Sequence, residues 1–290
     1  VVEGAIALIE ASVAMLDMRQ HSGEHPRLGV VDVCPFIPLR DVSMEACADM
    51  ARTVVARLAE RGDIPLFLYG AAASCDERTV LSRLRKGEYE GLEARLKGTD
   101  TVHDEDTRLP DAGAMEWTET VARSGGITVG ARPILVAYNV NVDEKDARVA
   151  RKIGSIVRTS GRMLKSEQGG KIRSHGMLKG VQGMGVPVEE LGISQVSMNL
   201  LNVKDCPLHL AFKTCESLAN DHETSLCGSE IVGLVPLQAM ISAGEFFNPE
   251  AEDERAKVAA AVKGLGLNQH HRFAPDEHII EWAPDREVIQ

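Results

Sequence analysis

The chain has 290 residues, 44% of them apolar and 26% charged, and a formal net charge of −11. That length has room for two domains of ordinary size, and the composition is that of a globular protein. The acidic balance argues against whole-surface nucleic-acid binding, and no apolar run approaches the ~20 residues that span a bilayer. No export signal opens the sequence. Six cysteines, at positions 34, 47, 75, 206, 215 and 227, form no C-x-x-C pair. They read as free thiols, and the expected location is the cytoplasm.

The first residues already repeat at helical spacing, with Val2, Ile6, Ile9, Val13 and Leu16 on one stripe. No cap or strand precedes them, which reads as a chain short of its natural N-terminus. Gly23 and Pro26 make "HSGEHPRLG" a loop, and "VVDVCPFIPL" follows as a strand. Ser43 is the expected N-cap of a helix with Met44, Cys47, Met50, Ala51, Val54 and Leu58 on its apolar side, stopped by Gly62. "IPLFLYG" reads as a strand, and residues 75–98 as two short helices broken at Gly87. Residues 98–116 are polar, carry no pattern and read as a loop on the surface or near a site. "ARPILVAYNVNV" (131–142) reads as one strand. A helix, a loop rich in Gly and Lys, two strands, a helix beginning at Pro207 and the strand "SEIVGLVP" follow. That order is βαββαβ, the ferredoxin-like unit. "LQAMISAGEFF" and "DERAKVAAAVKGLGL" add helices, and "DEHIIEWA" reads as an edge strand. The first half shows only the helix and strand that would end a similar unit, so two copies would need a β-α-β-β segment ahead of Val1.

Three segments carry chemistry. "HSGEH", His21–His25, matches H-x-x-E-H, but that zinc pattern needs both histidines on one helical face. Gly23 inside it and Pro26 after it oppose a helix. A polar connecting loop and an acid–base histidine tuned by Glu24 or Asp32 remain open. "SGGITVGARPI" (124–134) combines glycines that let an anionic or flat ligand approach backbone N–H groups with Arg132, a fork for a carboxylate. From Lys145 to Lys179 ten Lys or Arg face two acids, a local excess fit for an anion or for a solvated surface. "NQHHRF" (268–273) reads as a surface loop.

Taken together, "HSGEHPRLGVVDVCPFIPL", "LYGAAA", "RKGEYEGL", "GGITVGARPILVAYNVNV", "LKGVQGMG", "QVSMNLLN" and "GSEIVGLVP" resemble the glutamate formiminotransferase family, in its order and from Val1 to about Trp282. By that resemblance the chain is expected to lack the family's N-terminal segment, about 50 residues. The resemblance implies an α+β fold (an α/β sandwich) of two ferredoxin-like βαββαβ subdomains, the first incomplete, set at 1–124 and 125–290, with folate in a tunnel between them. It implies transfer of the formimino group of N-formimino-L-glutamate to N5 of tetrahydrofolate, giving 5-formiminotetrahydrofolate and L-glutamate in histidine degradation. Tetrahydrofolate, in monoglutamyl or polyglutamyl form, is the co-substrate, with no metal.

Aligned on "GEHPRLG", the family's catalytic histidine falls on His25, with Glu24, Arg27 and Asp32 in support. Its folate segment falls on Gly125, Gly126, Ile127, Thr128, Val129, Gly130, Ala131, Arg132, Pro133 and Ile134. The resemblance also implies a homodimer that acts on small molecules, not on nucleic acid or membrane. A glutamate formyltransferase on the same fold, a folate-binding relative without turnover and a zinc hydrolase are the alternatives.

Overall fold

The computed structural model describes residues 1–22, 26–39, 41–166 and 169–283. It is a mixed α+β protein of two sheet-containing units, Val1–Ile134 and Leu135–Gln290.

The first unit begins with α1 (Val2–Met15) and then β1 (Val33–Phe36), α2 (Met44–Ala59) and β2 (Pro65–Gly70). Four helices follow, α3 (Leu81–Leu84), α4 (Glu88–Leu96), α5 (Glu105–Arg108) and α6 (Glu119–Ser124), interrupted by β3 (Ala112–Gly113). The unit ends in β4 (Ile127–Ala131). Its sheet has the order β1-β4-β2-β3. The first three strands are mutually parallel, and only β3 runs against β2. In its described residues this unit therefore shows a parallel-rich sheet and no βαββαβ order.

The local signals behave as expected in α2. The Ser43 hydroxyl accepts from the Ala46 N–H at 3.1 Å, and Cys47, Ala51, Val54 and Leu58 are buried. That face and Ile6 and Ile9 of α1 pack on Leu66, Ile127, Val129 and Ala131. Phe67 and Tyr69 point to the other side of the sheet, where Leu28, Leu84, Leu92 and Val121 cover them. A strand covered on both faces reads as a continuous apolar run rather than an alternation. This describes β4, all five of whose residues are buried. Gly87 has φ of +81°, which separates α3 from α4 as the sequence predicts. Within α4, a Cβ on Gly91 would meet nothing within 4 Å. Gly91→Ala is therefore expected to stabilise the protein by about 0.5–1 kcal/mol, read as a higher urea midpoint.

The second unit runs β5 (Val136–Val142), α7 (Arg148–Val157), the hairpin β6 (Arg162–Lys165) and β7 (Lys171–Ser174), then β8 (Val181–Val188), β9 (Ile193–Leu200), α8 (Leu208–Asn220) and β10 (Leu226–Val232). Its main sheet has the order β10-β5-β9-β8, antiparallel throughout, which is the ferredoxin-like arrangement predicted. The hairpin is an insertion where the sequence shows only a Gly- and Lys-rich loop. Helices α9 (Leu237–Phe247), α10 (Glu254–Gly264) and α11 (Pro275–His278) complete the unit.

Three expectations are corrected. The strand predicted over 131–142 is two strands, β4 and β5, separated at Arg132–Leu135. Pro133 there lacks the N–H that a continuous ladder needs. Residues 127–131 accordingly belong to the first sheet, and the units divide at 134/135 rather than at 124/125. "DEHIIEWA" is not an edge strand. Pro275, Asp276 and Glu277 suit a helix start, and the segment makes one helical turn followed by a single parallel bridge, Val235 to Ile279.

In α8, His209 stacks on Phe246 with ring centroids 4.5 Å apart. Burial pulls its pKa below the usual 6.5. The unfolded chain then takes up this proton first as the pH falls, so stability drops below about pH 6.5 toward the lower folded value. His209→Phe is expected to flatten that part of a urea-midpoint profile against pH.

Candidate functional site

The loop that begins at His21 and the start of β4 are about a hundred residues apart in sequence, and the structure joins them. The Gly126 N–H donates to the Leu28 carbonyl at 3.0 Å, and the Val30 N–H donates to the Ser124 carbonyl at 2.8 Å. Gly29 and Gly125 form an antiparallel bridge. Upstream of the loop the same region is tied to α6. Arg123 donates to the Ala14 carbonyl at 2.6 Å and the Leu16 carbonyl at 3.3 Å, at the C-terminal end of α1 where carbonyls lack helical partners. Arg19 pairs with Glu119 at 2.6 Å and with Asp17 at 2.7 Å. Both flanks of "HSGEHP" are thus fastened to the segment that leads into β4.

Gly23, Glu24 and His25 lie outside the described residues. Arg27 closes the loop on either side of them. Its guanidinium donates to the His21 carbonyl at 3.1 Å and pairs with Glu90 at 2.6 Å and Glu88 at 3.7 Å. The Arg27 carbonyl accepts from the Tyr89 N–H at 2.8 Å. Asp32 is equally committed. Its carboxylate accepts from the Leu28 N–H at 2.9 Å and pairs with Arg85, and its carbonyl accepts from the Thr128 hydroxyl. Burial pushes the Asp32 pKa up, while the Leu28 N–H and the Arg85 charge hold it back. Arg27 and Asp32 are braces of the loop.

The segment 125–134 divides in two. Gly125–Ala131 are buried, and the small glycines there admit protein rather than ligand. A Cβ on Gly126 would lie 3.0 Å from the Phe67 ring, and one on Gly130 would lie 2.4 Å from the Tyr69 carbonyl oxygen. Pro133 is exposed, and Arg132 and Ile134 are half-buried. The Arg132 N–H donates to the Phe36 carbonyl at 3.2 Å, keeping this residue at the end of β1. Its guanidinium acts on the Tyr69 phenol, whose pKa burial pushes up and Arg132 pulls down. Arg132 is the one cation of the segment 125–134, and it is half-buried.

The second unit, taken by itself, carries a polar patch that the sequence shows only as alternation. Val136, Tyr138, Val140 and Val142 enter the core, so Asn139 and Asn141 take the other face of the sheet, opposite Ser197 and Gln195. The Gln195 amide donates to the Asn141 side-chain oxygen at 2.9 Å and to Glu230 at 3.4 Å. The motifs "NVNV" and "QVSMNLL" therefore place one row of amides on one sheet face.

Comparison with known proteins gives the family. The model described as "Formiminotransferase domain, N-terminal subdomain" matches residues 1–132, and "Formiminotransferase domain" matches residues 137–284. The chain belongs to the formiminotransferase domain family. It is 37% identical to a formimidoyltransferase-cyclodeaminase of Dictyostelium discoideum over 99% of its own length and 51% of that protein's. It is 38% identical to one from Rattus norvegicus over 98% of its length and 50% of that protein's. A glutamate formimidoyltransferase of Streptococcus pyogenes serotype M1 is 36% identical, covering 84% of this chain and 74% of that protein. The chain thus spans about half the length of the fused relatives. The two matched regions meet at the same place as the two structural units. Among the described residues no group of three or more His, Cys, Asp or Glu is placed to hold a metal ion, and no helix is long and apolar enough to cross a membrane.

Proposed function

We propose that this chain carries a glutamate formimidoyltransferase activity, moving the formimino group of N-formimino-L-glutamate to N5 of tetrahydrofolate and releasing L-glutamate. The observation that carries the reading is the fastening of the "HPRLG" loop to the start of β4, which joins the two segments where the family resemblance puts the catalytic base and the folate contact. A general base works only when geometry holds it to the proton it moves. In support of the reading, Arg27, Asp32 and Arg85 fasten the described residues that flank His25 in sequence.

The chemistry needs two proton movements. The N5 amine attacks the formimino carbon and must lose its proton. The departing glutamate nitrogen must gain one when its bond to that carbon breaks. One imidazole of ordinary pKa near neutrality can take the first proton and deliver it to the second nitrogen. Arg132 is the residue we assign to a carboxylate of the glutamyl donor. The basic run 145–179 favours the anionic tail of folate.

The test is turnover of N-formimino-L-glutamate with tetrahydrofolate by the purified chain, followed by acid conversion of the product to the methenyl-folate chromophore. Turnover supports the reading. A folded protein that binds folate yet transfers from N-formyl-glutamate instead is a formyltransferase, and one that turns over neither donor is a binding relative.

A further inference from the structure

The first turn of α4 holds a conformation that its residue types do not all prefer. Gly87 has φ of +81°, and Glu88, which carries a Cβ, has φ of +55°. An ordinary L-residue adopts that left-handed conformation only where the surrounding structure demands it, and such residues gather near functional sites. Here the turn grips the loop. Glu88 and Glu90 pair with the Arg27 guanidinium at 3.7 Å and 2.6 Å, and between them the Tyr89 N–H donates to the Arg27 carbonyl at 2.8 Å. Three successive residues thus hold Arg27 by its side chain and by its backbone.

Tyr89 reaches the other way as well. The last carbonyls of a helix lack partners within it. In α6 the Gly126 N–H, which would close a further turn on Ala122, goes instead to the Leu28 carbonyl at 3.0 Å. The Tyr89 hydroxyl donates to the Ala122 carbonyl left open by that exchange. The ring is half-buried and lies beside Trp117, with ring centroids 6.1 Å apart. Burial pushes the Tyr89 pKa above its usual 10, so the phenol stays a donor throughout the neutral range. One residue therefore ties the loop, through its backbone, to the end of α6, through its hydroxyl.

We infer that Tyr89 is a positioning residue for the transfer reaction, setting the loop that carries His25, through Arg27, against the end of α6 and the start of β4. This rests on the transferase reading. The part of Tyr89 is to hold the loop in register with β4, not to move a proton.

Steady-state kinetics and urea unfolding of the full chain and of Tyr89→Phe test this. Phenylalanine keeps the ring beside Trp117 and the N–H on Arg27, and it removes the bond to Ala122. The kcat for formimino transfer is expected to fall about tenfold, the equivalent of one hydrogen bond, at nearly constant KM for both substrates. A merely structural tyrosine would lower the urea midpoint and leave kcat unchanged well below the unfolding temperature, and that result overturns the inference. A double-mutant cycle with Arg27→Gln checks the route. Residues that act together are not additive, so Tyr89→Phe should lower kcat of the Arg27→Gln protein only about threefold. Losses that multiply in full overturn the route through Arg27. An unaltered chain that turns over neither donor removes the transferase reading and this inference with it. An active unaltered chain beside a Tyr89→Phe protein of equal kcat removes this inference alone. Should Tyr89→Phe fail to fold, a ring-fluorinated tyrosine at position 89 takes its place. It alters the hydroxyl as a donor with little change in ring size, and an unmoved kcat overturns the inference.

Discussion

His25→Ala is expected to lower kcat for formimino transfer by about 10²–10⁴-fold, the usual worth of a positioned acid–base group. Tetrahydrofolate binding should change little, since the histidine acts on protons in the reaction and not on the bound ground state. The expected signature is thus a fall in kcat at nearly constant KM, together with loss of the pH limb that reports an imidazole. His21→Ala separates this reading from the zinc pattern H-x-x-E-H. The structure uses the backbone carbonyl of His21, which Arg27 holds, and alanine keeps that carbonyl. A small effect at His21 beside a large one at His25 fits an acid–base histidine. Equal losses in both variants, restored by added zinc, would sink it.

What the sequence makes legible is what local chemistry decides. The cap of α2 at Ser43, the break at Gly87 and the βαββαβ order of the second unit all follow from residues close in sequence. The position of β4 does not. Its partners β1 and β2 lie about 95 and 60 residues upstream, and nothing in "GGITVGA" states that it sits at the centre of the first sheet. Its glycines suggest an opening for a ligand, whereas the fold uses them to bring Phe67, Tyr69 and Leu28 close. The stretch 98–111 is opaque for a different reason. Its order comes from Arg78 and Arg95, residue types that normally stay at the surface and that here are buried among carbonyls. At the site, the sequence reading sets Glu24, Arg27 and Asp32 in support of His25, and the contacts show how two of them, Arg27 and Asp32, brace the loop. The partners that define those braces, Arg85, Glu90 and Thr128, lie 53 to 96 residues from them.

The second large effect is expected at Gly29, because it sits where the loop meets β4. A Cβ there would lie 2.4 Å from the Gly126 oxygen, 2.6 Å from the Ser124 oxygen and 2.8 Å from the Gly126 nitrogen. All three atoms are backbone, so no side chain can turn aside, and either the loop or the start of β4 must move. Moving them endangers the Gly126–Leu28 and Val30–Ser124 hydrogen bonds. Overpacking of about 1–3 kcal/mol, with about 1 kcal/mol for a lost hydrogen bond, sets the expected destabilisation of Gly29→Ala at about 2–4 kcal/mol. Activity should fall further than stability. A displacement of about 1 Å in a catalytic group can cost 10²-fold, so kcat/KM is expected to drop about 100-fold even well below the unfolding temperature. Asp32→Asn provides the graded comparison. It keeps an acceptor for the Leu28 N–H and loses only the charge facing Arg85, so it should move both readouts the same way by less. Urea unfolding and steady-state kinetics on the two variants check this together. A Gly29→Ala protein of unchanged stability and activity would show that the loop does not lie against β4, and would remove the geometric support for His25 as the catalytic base.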